Sequence, residues 1–296
     1  MKQKMIFFLA AMTIVFAACK DKNEPSSGTS SDSDSRGSSQ TSIEGVLAGK
    51  FSVSATTQVQ FSQGNLQYQA STHTWRFAEN QYDLIGSANS NIAADYSGWI
   101  DLFGWGTGDN PTNKSTDGSD YSIFPDWGVN AISNGGNTAN TWRTLTTDEL
   151  VYLFQTRTNA ATLFGFGSVN GVNGTILLPD NWTTPSGVSF TASTAHTTQE
   201  PATNGTVFSN SNGNNFSHNT YTVAQWSQME SAGAVFLPAA GDRYGTDVGS
   251  VGSSGFYWSL TPDGASYACS LEFGSYGLNP QHLYPRSCGF SVRLVR

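Results

Sequence analysis

The chain has 296 residues, with 14 Lys and Arg against 22 Asp and Glu, a formal charge of −8. That acidic balance excludes the electrostatics of a nucleic-acid binder, or of a protein held to an anionic lipid surface by charge. Three cysteines are present, and neither a C-x-x-C nor a His/Cys group with metal-ligand spacing occurs.

Lys2 and Lys4 open the sequence, an apolar run follows from Met5 to Ala18, and Cys19 comes next. A charged start, a short apolar run and small residues before a cleavage point read as a secretory signal over 1–18. The run is too short to span a bilayer comfortably. Phe16-Ala17-Ala18-Cys19 resembles the lipobox of bacterial lipoproteins, which implies that Cys19 becomes the lipidated first residue. The expected localisation is the outer membrane, held by acyl chains and exposed at the surface. A plain secretory signal with a chance cysteine is the alternative. Residues 19–42 are Ser-rich with charges, Gly and Pro, a flexible tether. Without Lys2 and Lys4 the count is 12 basic against 22 acidic, a net −10. Residues 43–296 remain, enough for one sizeable core.

Phe51, Val53, Val59 and Phe61 alternate with polar residues and predict a half-buried strand pair, with Gly64-Asn65 as a turn signal. Residues 75–86 read as a further strand and its exit. From 86 to 140 the chain is rich in Gly, Asn, Asp and Ser, and Trp99, Trp105 and Trp127 sit there either as loop anchors or as a sugar-stacking platform. Two helices are expected. Thr146 and Glu149 form a capping box ahead of Leu150, Leu153 and Phe154; Thr222 and Gln225 form another ahead of Trp226, Met229 and Ala232, with Gly233 as the stop. The stretch "GTILLPDNW" and the run to about 220 read as a strand plus long loops. "GAVFLPAAGDRYG", "GFYWSL", "YACSLEF" and "GFSVRLV" read as three or four short strands. The order predicts an α+β fold of short antiparallel strands, two helices and long irregular loops.

Catalytic signals are weak. His73, His196, His218 and His282 form no metal motif, and no G-x-S-x-G precedes a helix. Gly165-Phe166-Gly167 lacks the Lys and capped helix of a phosphate loop. Asp101, Asp109, Asp117, Asp120 and Asp126 share one loop region without EF-hand spacing, so turn capping or solvation is expected ahead of Ca²⁺. The expectation is a non-enzyme without a cofactor. Cys269 and Cys288 read as two free thiols, with one disulfide as the alternative.

"VFLPAAGDR" (235–243), "YWS" (257–259), "LEF" (271–273) and "RSCGFSVRLVR" (286–296) resemble the Fibrobacter succinogenes major paralogous domain. The stretches "GNLQY", "WRFAENQYD", "GWIDLFGWGTG", "WRTLTTDELVYLF" and "LLPDNW" extend the likeness over most of 51–296. The resemblance implies a C-type-lectin-like fold of the formylglycine-generating-enzyme type. The cysteine pair or copper site of those enzymes has no counterpart here, nor has the His triad of related iron enzymes. The calcium-lectin motifs are only echoed, at Leu178-Pro179-Asp180 and Asn279-Pro280-Gln281.

The segment 257–288 also resembles the variable repeat of proteins diversified by retroelements, in which Asn codons are rewritten on one face of such a scaffold. On that resemblance the ligand-binding positions are Leu260, Asp263, Gly264, Ser266, Tyr267, Cys269, Ser270, Gly274, Tyr276, Gly277, His282, Leu283, Tyr284, Pro285, Ser287 and Cys288. Trp258, Leu271, Phe273, Phe290, Val292 and Leu294 are expected inside, with loops between them carrying the variable side chains. The implied function is a lipid-anchored receptor or adhesin for an unknown macromolecular ligand, protein or glycan, at the cell exterior. A glycan-binding lectin is the runner-up, and a formylglycine-generating-type metalloenzyme comes third.

Overall fold

A computed structural model describes residues 44–193, 196–199, 206–209, 216–274 and 277–296, with backbone alone for 196–199 and 206–209. The expected signal, Cys19, the tether and Tyr276 lie outside the described residues.

Phe51, Val53, Val59 and Phe61 are all buried, as their alternation requires. They lie on and beside β1 (Phe51–Ser52) and β2 (Gln58–Val59), which pair antiparallel. The turn between them is closed by Ser54, whose hydroxyl accepts from the Thr56 and Thr57 amides. Gly64-Asn65 is therefore not that turn. Gly64 lies against the Ala78 backbone, where a Cβ would collide, and Asn65 is buried.

β3 (Leu66–Gln69) is flanked by β4 (Thr74–Phe77) and β5 (Trp99–Ile100) in a three-stranded antiparallel sheet. A second sheet has the order β10 (Thr220–Tyr221), β6 (Phe164–Val169), β7 (Val172–Leu177), β11 (Val235–Pro238). Gly165 and Gly167 belong to β6. A Cβ on either would strike the 190–191 or Asn219 segment, so close strand packing accounts for the Gly-rich patch.

Both capping boxes are formed. Thr146 caps α1 (Thr147–Val151), which runs on as a π-helical turn over Tyr152–Thr156; Thr222 caps α2 (Val223–Ser231). Leu150, Leu153 and Phe154 are buried, as are Trp226 and Met229. Ala232 is exposed, because the helix ends at it and Gly233 turns the chain away with a φ of 98°.

The sheet that positions the candidate site has the order β14 (Gly255–Asp263), β15 (Tyr267–Gly274), β16 (Gly277–Pro285), β9 (Thr206–Ser209), β8 (His196–Gln199). Beside it, β12 (Asp242–Tyr244) pairs with β13 (Asp247–Gly249) and with β17 (Cys288–Gly289). The architecture is α+β, mostly strand. The expected loops between Trp258 and Phe290 are instead two long hairpins. Two of the three prolines in these strands sit where the register slips, Pro262 after Trp258 and Pro280 opposite the 270–272 step, and the third, Pro285, ends β16. A bulge leaves a residue out of the ladder and so tolerates a missing N–H.

Trp258, Leu271, Phe273, Phe290, Val292 and Leu294 are all buried, in agreement with the sequence. The 290–295 segment threads the centre. Phe290 exchanges hydrogen bonds with Phe103, the Ser291 carbonyl takes the Trp258 amide, and Val295 exchanges with Arg143. The chain's last residue, Arg296, exchanges two backbone hydrogen bonds with Gln60.

Candidate functional site

β15 lies between β14 and β16, and its side chains alternate between two cores. Leu271 and Phe273 join Tyr257, Leu150 and Phe154 in one cluster. Ala268 joins Phe256, Trp258 and Phe290 in another, against which Tyr284 and Cys288 pack. The meander is thus covered on both faces at one end and opens toward the 263–267 turn.

Three candidate positions at that turn are exposed: Asp263, Gly264 and Tyr267. Ser266, beside them, is half-buried, as are Leu260, Cys269, His282, Leu283, Tyr284, Pro285 and Cys288. Pro285 pairs with Tyr267 and Leu283 with Cys269, so these four share one strip of the sheet. Four candidates are not on a surface. Ser270, Gly274, Gly277 and Ser287 are buried. Ser270 pairs with Trp258 on the covered side of the central strand, and Gly274 and Gly277 close the covered end of the β15–β16 hairpin. They correct the expectation of a continuous outward set.

The turn is locked by a residue that the sequence reading passed over. Arg286 is 5% exposed. Its Nε donates to the Tyr267 carbonyl (3.0 Å), Nη2 to Gly264 (2.8 Å) and Nη1 to Tyr121 (3.2 Å). Its own amide donates to Ser266, its carbonyl accepts from Trp105, and the guanidinium lies 4.3 Å from the Trp105 ring centre. The planar Arg fork spreads its donors over three separate carbonyls, which the single point of a Lys ammonium does not match. An Arg between two small or ring residues, Pro285 and Ser287, gives no periodic signal, so sequence pattern could not find it.

The bulge of β14 is stitched to the start of α1. The Thr147 amide donates to the Thr261 hydroxyl (3.0 Å), the Leu260 amide donates to the Leu145 carbonyl, and the Ser259 hydroxyl donates to the Cys269 carbonyl (2.7 Å). On the other face, the Tyr284 hydroxyl donates to Glu272 Oε1 (2.9 Å), and His282 Nδ1 lies 3.5 Å from Glu272 Oε2. The Tyr284 ring meets Phe256 and Phe290 edge-on. Burial, with the Glu272 charge beside it, raises the Tyr284 phenol well above its ordinary value, so it remains a donor.

Cys269 and Cys288 are free. Burial pushes both thiols up, Cys288 to about 11. Neutral, half-buried thiols are poor nucleophiles. Four of the five acidic residues of the 101–126 region hold local structure, and Asp109 is exposed. Asp101 is buried and accepts from Ile85 and Asn89; Asp117 and Asp126 cap short 3₁₀ turns; Asp120 holds Ser115. Among the described residues no group of three His, Cys, Asp or Glu could hold a metal ion. Asp180, in one of the lectin echoes, spends its carboxylate on Arg157, Ser52 and Gln58. Trp105 and Trp127 are buried, and the Arg76 guanidinium covers Trp99 at 3.8 Å. The three therefore anchor loops and offer no open stacking platform.

A family described as Domain of unknown function (DUF8237) matches residues 190–295, a span that takes in the whole meander. No curated protein and no solved structure matches the chain.

Proposed function

We propose that the chain is a lipid-anchored protein of the outer membrane that binds a macromolecule at the cell exterior. Cys19 carries the anchor, residues 19–42 form the tether, and the 263–267 turn with its neighbouring strip forms the contact face. The scaffold is C-type-lectin-like, and its variable positions are rewritten by a retroelement. One observation carries the reading. Asp263, Gly264, Ser266, Tyr267, Cys269, Leu283 and Pro285, all exposed or half-exposed, cluster at the free end of a meander whose inward residues, Trp258, Leu271 and Phe273, are fixed in two cores. Side chains at that end can change without unfolding the sheet.

Deep sequencing of codons 257–288 in a long-passaged population tests it. Substitutions are expected at Asp263, Ser266, Tyr267, Leu283 and Pro285, and not at Trp258, Leu271 or Phe273. An even spread over both groups would overturn the proposal. For the anchor, Cys19→Ser is expected to abolish fatty-acid labelling and to release the protein from the membrane fraction. Labelling that survives the change would show that Cys19 is not the lipid-bearing residue.

A further inference from the structure

Three large hydrophobic side chains stand out of the surface around one loop: Ile123 (76% exposed), Tyr244 (48%) and Tyr267 (47%). Their backbones are tied together. The Tyr244 hydroxyl donates to the Thr116 carbonyl (3.2 Å). Gly118 lies against Ser266, so that an added Cβ would stand 3.2 Å from its carbonyl oxygen. Arg286 joins the Tyr121 carbonyl to that of Tyr267. Loop 115–123, the β12–β13 hairpin and the 263–267 turn therefore present one surface. Beside Trp105, Tyr121 and Ile123 that surface holds a polar hollow of about 200 Å³.

The charges on it have one sign. Asp117, Asp120, Asp247 and Asp263 are exposed. The two arginines beside it are turned inward: Arg243 and Arg286 are buried, with their guanidiniums on backbone carbonyls. Lys114, exposed at the start of the loop, has its ammonium 3.4 Å from the Ile92 carbonyl. Four carboxylates beside two exposed aromatic rings, against one exposed Lys, are what a Lys or Arg side chain binds.

We propose that this surface docks a Lys- and Arg-rich segment of a partner protein, the cations seated on Tyr244 and Tyr267 and paired with the carboxylate rim. The inference rests on the reading of 257–288 as a contact face and adds two things to it. It names the partner's chemistry, and it brings in a loop, 115–123, that lies outside the variable segment.

The test is fluorescence anisotropy with the full chain and a labelled peptide alternating Arg and Gly, beside its Glu and Gly counterpart. Two charge-matched triple variants separate the surface from overall acidity: Asp117→Asn, Asp247→Asn, Asp263→Asn on the face, and Glu44→Gln, Glu79→Gln, Asp95→Asn away from it. At low salt the face triple is expected to weaken binding of the Arg peptide by about tenfold and the distant triple by less than about twofold. Tyr267→Ser with Ile123→Ser is expected to weaken it with every charge intact. Equal losses for the two triples, equal binding of the Glu peptide, or no binding of the Arg peptide to the unaltered chain would overturn the proposal. None of these outcomes bears on the codon-substitution test, so a failed cationic partner is distinguishable from a failed contact face.

Discussion

Gly264 stands at the tip of the β14–β15 hairpin with a φ of 56° and open space where a Cβ would point. Replacing it therefore tests backbone cost alone. A β-branched residue in left-handed conformation loses roughly 1–2 kcal/mol, whereas Asn occupies it readily. Gly264→Val is expected to lower stability by that amount and Gly264→Asn by a few tenths of a kcal/mol, as read by urea denaturation. Equal effects would mean that the tip relaxes out of the left-handed region. If position 264 varies as proposed, the tip restricts which residues are usable there. The same scale limits Tyr284. Its hydroxyl is bonded to Glu272 and its ring is packed on Phe256, so variation there touches the core as well as the surface.

At the scale of elements, the turn's shape depends on Arg286. Arg286→Ala strips three carbonyls of their donor and uncovers Trp105. Of the three, only the Tyr121 carbonyl is buried, and an unmet buried acceptor costs about 1–3 kcal/mol, so a loss in that range is expected, with faster amide exchange confined at first to 263–267. Arg286→Lys, a point donor, is expected to recover only part of it. Unchanged exchange at 263–267 in both variants would show that the turn holds without the clip. The helices were legible because their signals are local: Thr146 with Glu149, and Thr222 with Gln225, are caps within one turn of chain. The inward residues of β14 and β15 were legible for the same reason, as apolar runs. β16 was not. Pro280 argues against a central strand, and only the bulge opposite Ser270 and Glu272, a property of two strands together, admits it. Ser270 and Ser287 were misjudged because a small polar side chain looks the same whether it faces water or a neighbouring strand.

Across the whole molecule, buried ionisable groups set how stability responds to pH. Burial pushes Asp101 up to about 6, against its hydrogen bonds from Asn89 and Ile85. In the unfolded chain the same carboxyl ionises near 4. Between those values the folded chain binds more protons, so this group makes stability fall as pH rises from about 4 to about 6, by roughly 3 kcal/mol in all. Glu149 and Asp180 act oppositely. Their hydrogen bonds and the Arg143 and Arg157 charges hold them below the usual carboxylate range, and their contribution is lost in acid. The Asp101 part is isolated by subtraction. The stability of the wild-type chain minus that of Asp101→Asn is expected to fall from pH 4 to pH 6 and then level off. A flat difference would place the Asp101 carboxyl in contact with water.

The 290–295 segment, laid between Phe103 and Trp258 and closed by the pairing of Arg296 with Gln60, makes this architecture dependent on its own tail. Strands assembled from the first two hundred residues have an empty slot along their middle until that tail arrives. Loop-closure entropy across nearly the full length must be met before the slot fills, which makes for slow assembly. With 290–295 out of place, Phe103, Arg143 and Trp258 are left with unmet backbone groups between the two cores, so neither core is complete until this segment is laid in.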